Sequence, residues 1–66
     1  MKFCDKLKKV RDLLKISQES LARELDVSFA TINRLESDKC YPSYATLNSF
    51  DNFCRKNGIS FEGEAD

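Results

Sequence analysis

The stretch from Gln18 to Glu36, QESLARELDVSFATINRLE, constrains this chain more than any other. Its apolar residues follow helical spacing twice, with one break between. Ser17 suits an N-cap, because its hydroxyl can accept from the unbonded N–H groups of the next turn. Glu19 and Glu24 suit a solvated face, and Glu19 also favours the positive start of a helix. Leu21, Ala22 and Leu25 fall at i, i+1 and i+4, which makes one buried stripe. Asp26 breaks that pattern, and Asp tolerates the left-handed backbone region better than most residues. Val27 returns to the core, and Ser28 is a second N-cap. The spacing therefore predicts a helix over about 18–25, a tight turn, and a second helix over about 29–37.

At about 100° per residue, Ile32 and Leu35 share one face of that second helix. Phe29, Ala30, Asn33, Arg34 and Ser37 share the opposite face. The first pair would anchor the helix, and the second set would point outward. An outward aromatic, methyl, amide and guanidinium can meet base edges. Arg pairs with guanine, Asn with adenine, and Ala or Phe touches a thymine methyl. The plainer reading is a solvated helix face. It covers Asn33 and Arg34 but accounts less well for Phe29 beside Ala30.

The run LKKVRDLLKISQESLARELDVSFATINRLESDKCYPS resembles the Cro/CI-type helix-turn-helix domains, also called the XRE family. The resemblance covers about residues 6–57. Ser-Gln at 17–18, Leu-Ala at 21–22, SFATINRLE from Ser28 to Glu36, and Pro42 carry it together. It implies an all-α fold, a compact four-helix domain of the lambda-repressor type with its second motif helix in the DNA major groove. It implies base-facing roles for Phe29, Ala30, Asn33 and Arg34. It places Gln18, Ser28, Thr31, Ser37, Lys39, Tyr41, Ser43 and Tyr44 near backbone phosphates. It matches Arg11 and Glu36 to a buried ion pair that ties the first helix to the third, so Glu36 is scaffold and not a base reader. There are departures. The family usually carries Gly where this chain has Lys15, Asp26 and Asp38, sites that call for φ > 0. Asp38 also sets a negative charge where phosphates would pass.

The first helix is predicted over about 3–14, with Phe3, Leu7, Val10 and Leu14 on one face. A loop, DKCYPS, follows the third helix. Ser43 caps a fourth helix over about 44–56, whose apolar stripe is Leu47, Phe50 and Cys54, and Gly58 after Asn57 ends it. Residues 1–57 then form the binding domain, and 58–66 a short strand or tail. Ile59-Ser60-Phe61-Glu62 alternates apolar and polar, which is a strand signal. Phe53 lies off the stripe, and with Ile59 and Phe61 it is expected to make a symmetric dimer patch. The competing reading has these three plug the base of a small core.

Sixty-six residues make one small domain with a marginal core. No apolar run approaches the ~20 residues that span a bilayer, and no signal peptide is visible, so a cytoplasmic location without membrane contact is expected. Eleven basic residues balance eleven acidic ones, which counts against strong nonspecific DNA binding. The balance is uneven along the chain. Lys2, Lys6, Lys8, Lys9, Arg11 and Lys15 crowd the start, and Glu62, Glu64 and Asp66 close the end. With no His, and with Cys4, Cys40 and Cys54 in no C-x-x-C spacing, no ordinary zinc site can be built. Cys54 reads as a small core hydrophobe, with Cys4 packing near it. Cys40 reads as an exposed loop thiol, where a redox switch is the less favoured reading. No phosphate-cradling Gly loop and no G-x-S-x-G occur, so neither an enzyme nor a cofactor is expected.

Two functional classes fit. One is a sequence-specific DNA-binding regulator that represses by holding a double-stranded operator as a homodimer. The other is a protein-binding module of the same fold, such as an antitoxin or antirepressor. The outward face of the third helix, with Gln18, favours the first. The zero net charge and acidic end favour the second.

Overall fold

A computed structural model describes residues 2–61. Among them the chain forms α1 (Phe3–Leu14), α2 (Gln18–Glu24), α3 (Phe29–Glu36) and α4 (Tyr44–Lys56). Each helix lies within a residue of its predicted bounds.

Starts and stops are written locally. Ser17, Ser28 and Ser43 all take an extended conformation, and each side chain accepts a hydrogen bond from the N–H three residues on. In each case the residue that donates also carries a hydroxyl, on Ser20, Thr31 or Thr46, within 3.2 Å of the capping oxygen. The ends share a second device. Lys15, Asp26, Asp38 and Gly58 all have positive φ, from 54° to 70°. The next residue then donates back across the last turn: Ile16 to Arg11, Val27 to Ala22, Lys39 to Arg34 and Ile59 to Cys54. This is the Schellman closure, which satisfies carbonyls that the helix leaves open. Only one of the four sites is a glycine. The three predicted to need φ > 0 without one do adopt it. Aspartate suits the region better than lysine, because its short polar side chain can bond locally.

The core gathers one stripe from each helix. Leu7 and Val10 of α1 meet Leu21, Ala22 and Leu25, then Ile32 and Leu35 of α3, then Phe50, Phe53 and Cys54 of α4. Phe3, Leu14, Ile16 and Val27 pack around this cluster and are partly buried. Three of these follow or close a helix end, so the turns after α1 and α2 are each pinned by an apolar residue. Cys4 is buried as well, outside that cluster.

Two expectations for the fourth helix are corrected. Phe53 is not off the core; it is 8% exposed and part of the cluster, whereas Leu47 is 43% exposed. The buried arc of α4 is Thr46, Phe50, Phe53 and Cys54, rotated by roughly 50° from the stripe drawn through Leu47. Thr46 hid the true centre. It is polar, but its hydroxyl bonds Ser43 at 3.0 Å, so it enters the core with its hydrogen bond satisfied.

The strand signal does not become a strand among the described residues. Ile59 and Phe61 turn back on the core instead, and Glu62 lies outside the described residues. The Phe61 ring stacks on Phe50 with centroids 6.1 Å apart, and Phe50 meets Phe3 edge-on at 5.0 Å. The ammonium groups of Lys6 and Lys9 lie 5.7 and 5.8 Å from the Phe61 centroid. A lone strand leaves its backbone unpaired, whereas this aromatic stack removes apolar surface from water. Phe53 and Phe61 thus act as core and plug, and the dimer patch expected from Phe53, Ile59 and Phe61 loses its main support.

Candidate nucleic-acid interface

Helix α3 has only eight residues, and its two faces differ sharply. Ile32, Leu35 and Glu36 are buried. Phe29, Ala30, Asn33 and Arg34 are all exposed, together on the other side. Phe29 is 53% exposed, a large apolar ring left in water with no core contact to explain it. Asn33 and Arg34 stand on the same arc. Thus the four residues predicted to read bases form one continuous, reachable surface.

That surface is held from behind by a buried charge network. The Arg11 guanidinium grips Glu36 with two bonds, Nε to Oε2 at 2.6 Å and Nη2 to Oε1 at 2.8 Å. Its Nη1 donates to the Ile16 carbonyl at 3.4 Å. Gln18 adds a third donor to the carboxylate, Nε2 to Oε1 at 3.3 Å. The Glu36 side chain is 4% exposed and that of Arg11 27%. Burial alone would push the Glu36 carboxyl up, but the bonds from Arg11 and Gln18 and the Arg11 charge outweigh it and hold it below its ordinary value. The bond to Glu36 likewise raises Arg11, against its own burial. A forked pair with its lone pairs satisfied fixes register more than it adds stability. Here it joins α1, the start of α2 and the end of α3, and so sets the angle at which α3 is presented. The predicted Arg11–Glu36 pair is therefore present.

The residues expected near phosphates fall into three groups. Ser28 and Ser43 are exposed, but their hydroxyls already serve as caps, and Thr31 is half-buried against Ser28. What α3 and α4 can offer an anion at those places is their first N–H groups, which have no acceptor within the helix. Ser37, Lys39 and Tyr41 are exposed along the segment between α3 and α4, and Tyr44 is exposed at the first position of α4. Tyr41 is 94% and Tyr44 84% exposed, so both hydroxyls are free to swing. Gln18 stands apart, since its amide is engaged by Glu36. Its tie to the ion pair was not visible in the sequence, because nothing at position 18 announces a partner at position 36.

A second unannounced contact lies just beyond the same end of α3. Lys2 Nζ sits 3.1 Å from Asp38 Oδ2, with both side chains largely exposed. The bond and charge of Asp38 raise the Lys2 ammonium above its ordinary value.

A sequence model of the helix-turn-helix family matches residues 7–57, most of the chain. The chain belongs to the helix-turn-helix family, of the Cro/CI or XRE type. It is accordingly a DNA-binding regulatory domain, and α2 and α3 are the two helices of its motif. No curated protein and no solved structure gives a significant match. Among the described residues, no helix is long and apolar enough to cross a membrane.

Proposed function

We propose that this helix-turn-helix protein is a cytoplasmic repressor that holds an operator as a homodimer, with one α3 in each of two major grooves. The observation that carries this reading is the exposed arc of Phe29, Ala30, Asn33 and Arg34, backed by the buried Arg11–Glu36–Gln18 network. Arg34 is assigned to guanine and Asn33 to adenine, with Phe29 and Ala30 against thymine methyls. Ser28, Thr31, Ser37, Lys39, Tyr41, Ser43 and Tyr44 are assigned to the flanking phosphates, and Gln18 to the phosphate at the start of α2. A helix of eight residues covers only a few base pairs, so a useful operator needs two copies. Their half-site centres would lie ~34 Å apart, one turn of the duplex. Repression would follow from occupying a promoter.

The test is selection of bound duplexes from a random pool, then binding of Arg34→Ala to the recovered sequence. An inverted repeat with that spacing, and a loss of ~1–3 kcal/mol in the variant, is the expected result. An unchanged affinity would remove Arg34 from the base-reading set. A second reading, a protein-binding module such as an antitoxin or antirepressor, is favoured by one observation, the zero net charge. Recovery of no sequence from the pool, together with a stable complex with a protein partner, would support it.

A further inference from the structure

Position 38 carries two demands that conflict. Asp38 closes α3 with φ of 59°, and its N–H bonds the Leu35 carbonyl at 3.2 Å. The backbone there calls for Gly, Asn or Asp. Aspartate meets that need but sets a carboxylate between Ser37 and Lys39, both assigned to phosphates. A bare carboxylate there would repel the duplex.

Lys2 meets that carboxylate. It is the residue before α1, with an extended backbone, and its side chain makes no cap bond to its own helix. The ammonium instead crosses to the far end of α3 and bonds Asp38 at 3.1 Å. Helices α1 and α3 are therefore cross-linked twice. The inner link, Arg11 with Glu36, is buried and sets their angle. The outer link is 71% and 54% exposed, and exposed pairs of this kind add little to stability. Its effect must be sought in the charge it presents.

We propose that Lys2 is a positioning residue for DNA binding: it neutralises Asp38, so that the end of α3 meets phosphates as an electrically neutral turn. This rests on the DNA reading given above. It makes an N-terminal residue, outside the matched segment, part of the binding surface. It also explains how a chain with aspartate at this turn can approach DNA.

The test is a charge cycle on a mixed-sequence duplex at low salt, where binding is electrostatic and needs no operator. Lys2→Gln, Asp38→Asn and the double variant are compared with wild type, with Asp51→Asn of α4 as a carboxylate control. Asparagine keeps the tolerance for positive φ. One charge alters the salt slope by about 0.9, or about threefold in affinity over a roughly fourfold change in salt. Lys2→Gln is expected to weaken binding by about threefold, Asp38→Asn to tighten it by about as much, and the double variant to return within about twofold of wild type. All four should melt together. A double variant as weak as Lys2→Gln would make Lys2 a direct phosphate ligand and overturn the proposal. So would an Asp38→Asn no better than Asp51→Asn, or losses that follow melting temperature. Failure of base reading shows separately, as a wild type that prefers no sequence while this cycle stays intact. A wild type that binds no duplex at any salt overturns both.

Discussion

Replacing Arg11 by alanine leaves Glu36 buried with Gln18 as its remaining side-chain donor among the described residues, at 3.3 Å. Removing one partner of a fully buried pair costs about 3–5 kcal/mol. The Arg11 side chain is 27% exposed, so about 2–4 kcal/mol is the expected loss at neutral pH. A domain of this size holds about 3–10 kcal/mol in all. The variant should therefore melt about 10–25 °C lower and retain little margin. Acid supplies the sharper test. In the wild type the Glu36 pKa lies below its unfolded value, so its contribution is present above about pH 4.5 and is lost as pH falls through the folded value. Without Arg11, burial, the largest influence on Glu36, outweighs the remaining Gln18 bond and Lys8 charge and raises the same group, so protonation relieves the variant as pH falls. The difference between the two proteins should narrow steadily below neutral pH. Urea unfolding followed by circular dichroism from pH 7 down to about pH 3 reads this directly. A companion double variant, Arg11→Met with Glu36→Leu, removes both charges and should lie within about 1 kcal/mol of wild type. A loss under about 1 kcal/mol at neutral pH, or a constant difference down to pH 3, would refute the reasoning.

Three further outcomes follow from the fold. Phe61→Ala should cost about 1–2 kcal/mol by urea unfolding, because it removes the ring stacked on Phe50; its association state by light scattering should not change, whereas a dimer patch would come apart. Lys15→Gly should stabilise by about 0.5–1 kcal/mol, and Lys15→Val should destabilise by at least as much, since φ is 54° there; equal melting temperatures would remove the left-handed closure as an explanation. Cys40, which is exposed, should react with an aromatic disulfide reagent at once, while Cys4 and Cys54 wait on opening of the fold. Burial pushes the Cys54 thiol up to about 11, so raising the pH to 9 should do little to speed the reaction of Cys54.

Much of this fold is legible because its boundaries are local. Three serines cap three helices through the hydroxyl and N–H three residues on, which needs no knowledge of the rest of the chain. The left-handed closures at Lys15, Asp26 and Asp38 were read from departures at glycine positions, and the backbone takes that conformation at all three. The outward arc of α3 follows from period alone. What stayed hidden depends on distant partners. Thr46 enters the core because Ser43 satisfies it, and that turned α4 so that Phe53 went inward and Leu47 outward. The alternation at Ile59–Phe61 has the period of a strand, but Phe50 and Phe3 offer an aromatic seat, and the described residues hold no strand edge to pair with. Contacts between positions 18 and 36, and between 2 and 38, carry no periodic signature.

The central claim is that the exposed arc of α3 reads base edges. Fluorescence anisotropy with the selected duplex and a scrambled duplex of equal length, at about 50 and about 200 mM salt, tests it most directly. Contacts to bases do not release counterions, so preference for the selected duplex should survive the salt that erases binding to the scrambled one. Affinities that are equal on both duplexes, and that fall together with salt, would contradict base reading and leave α3 as a solvated helix on a phosphate-binding domain.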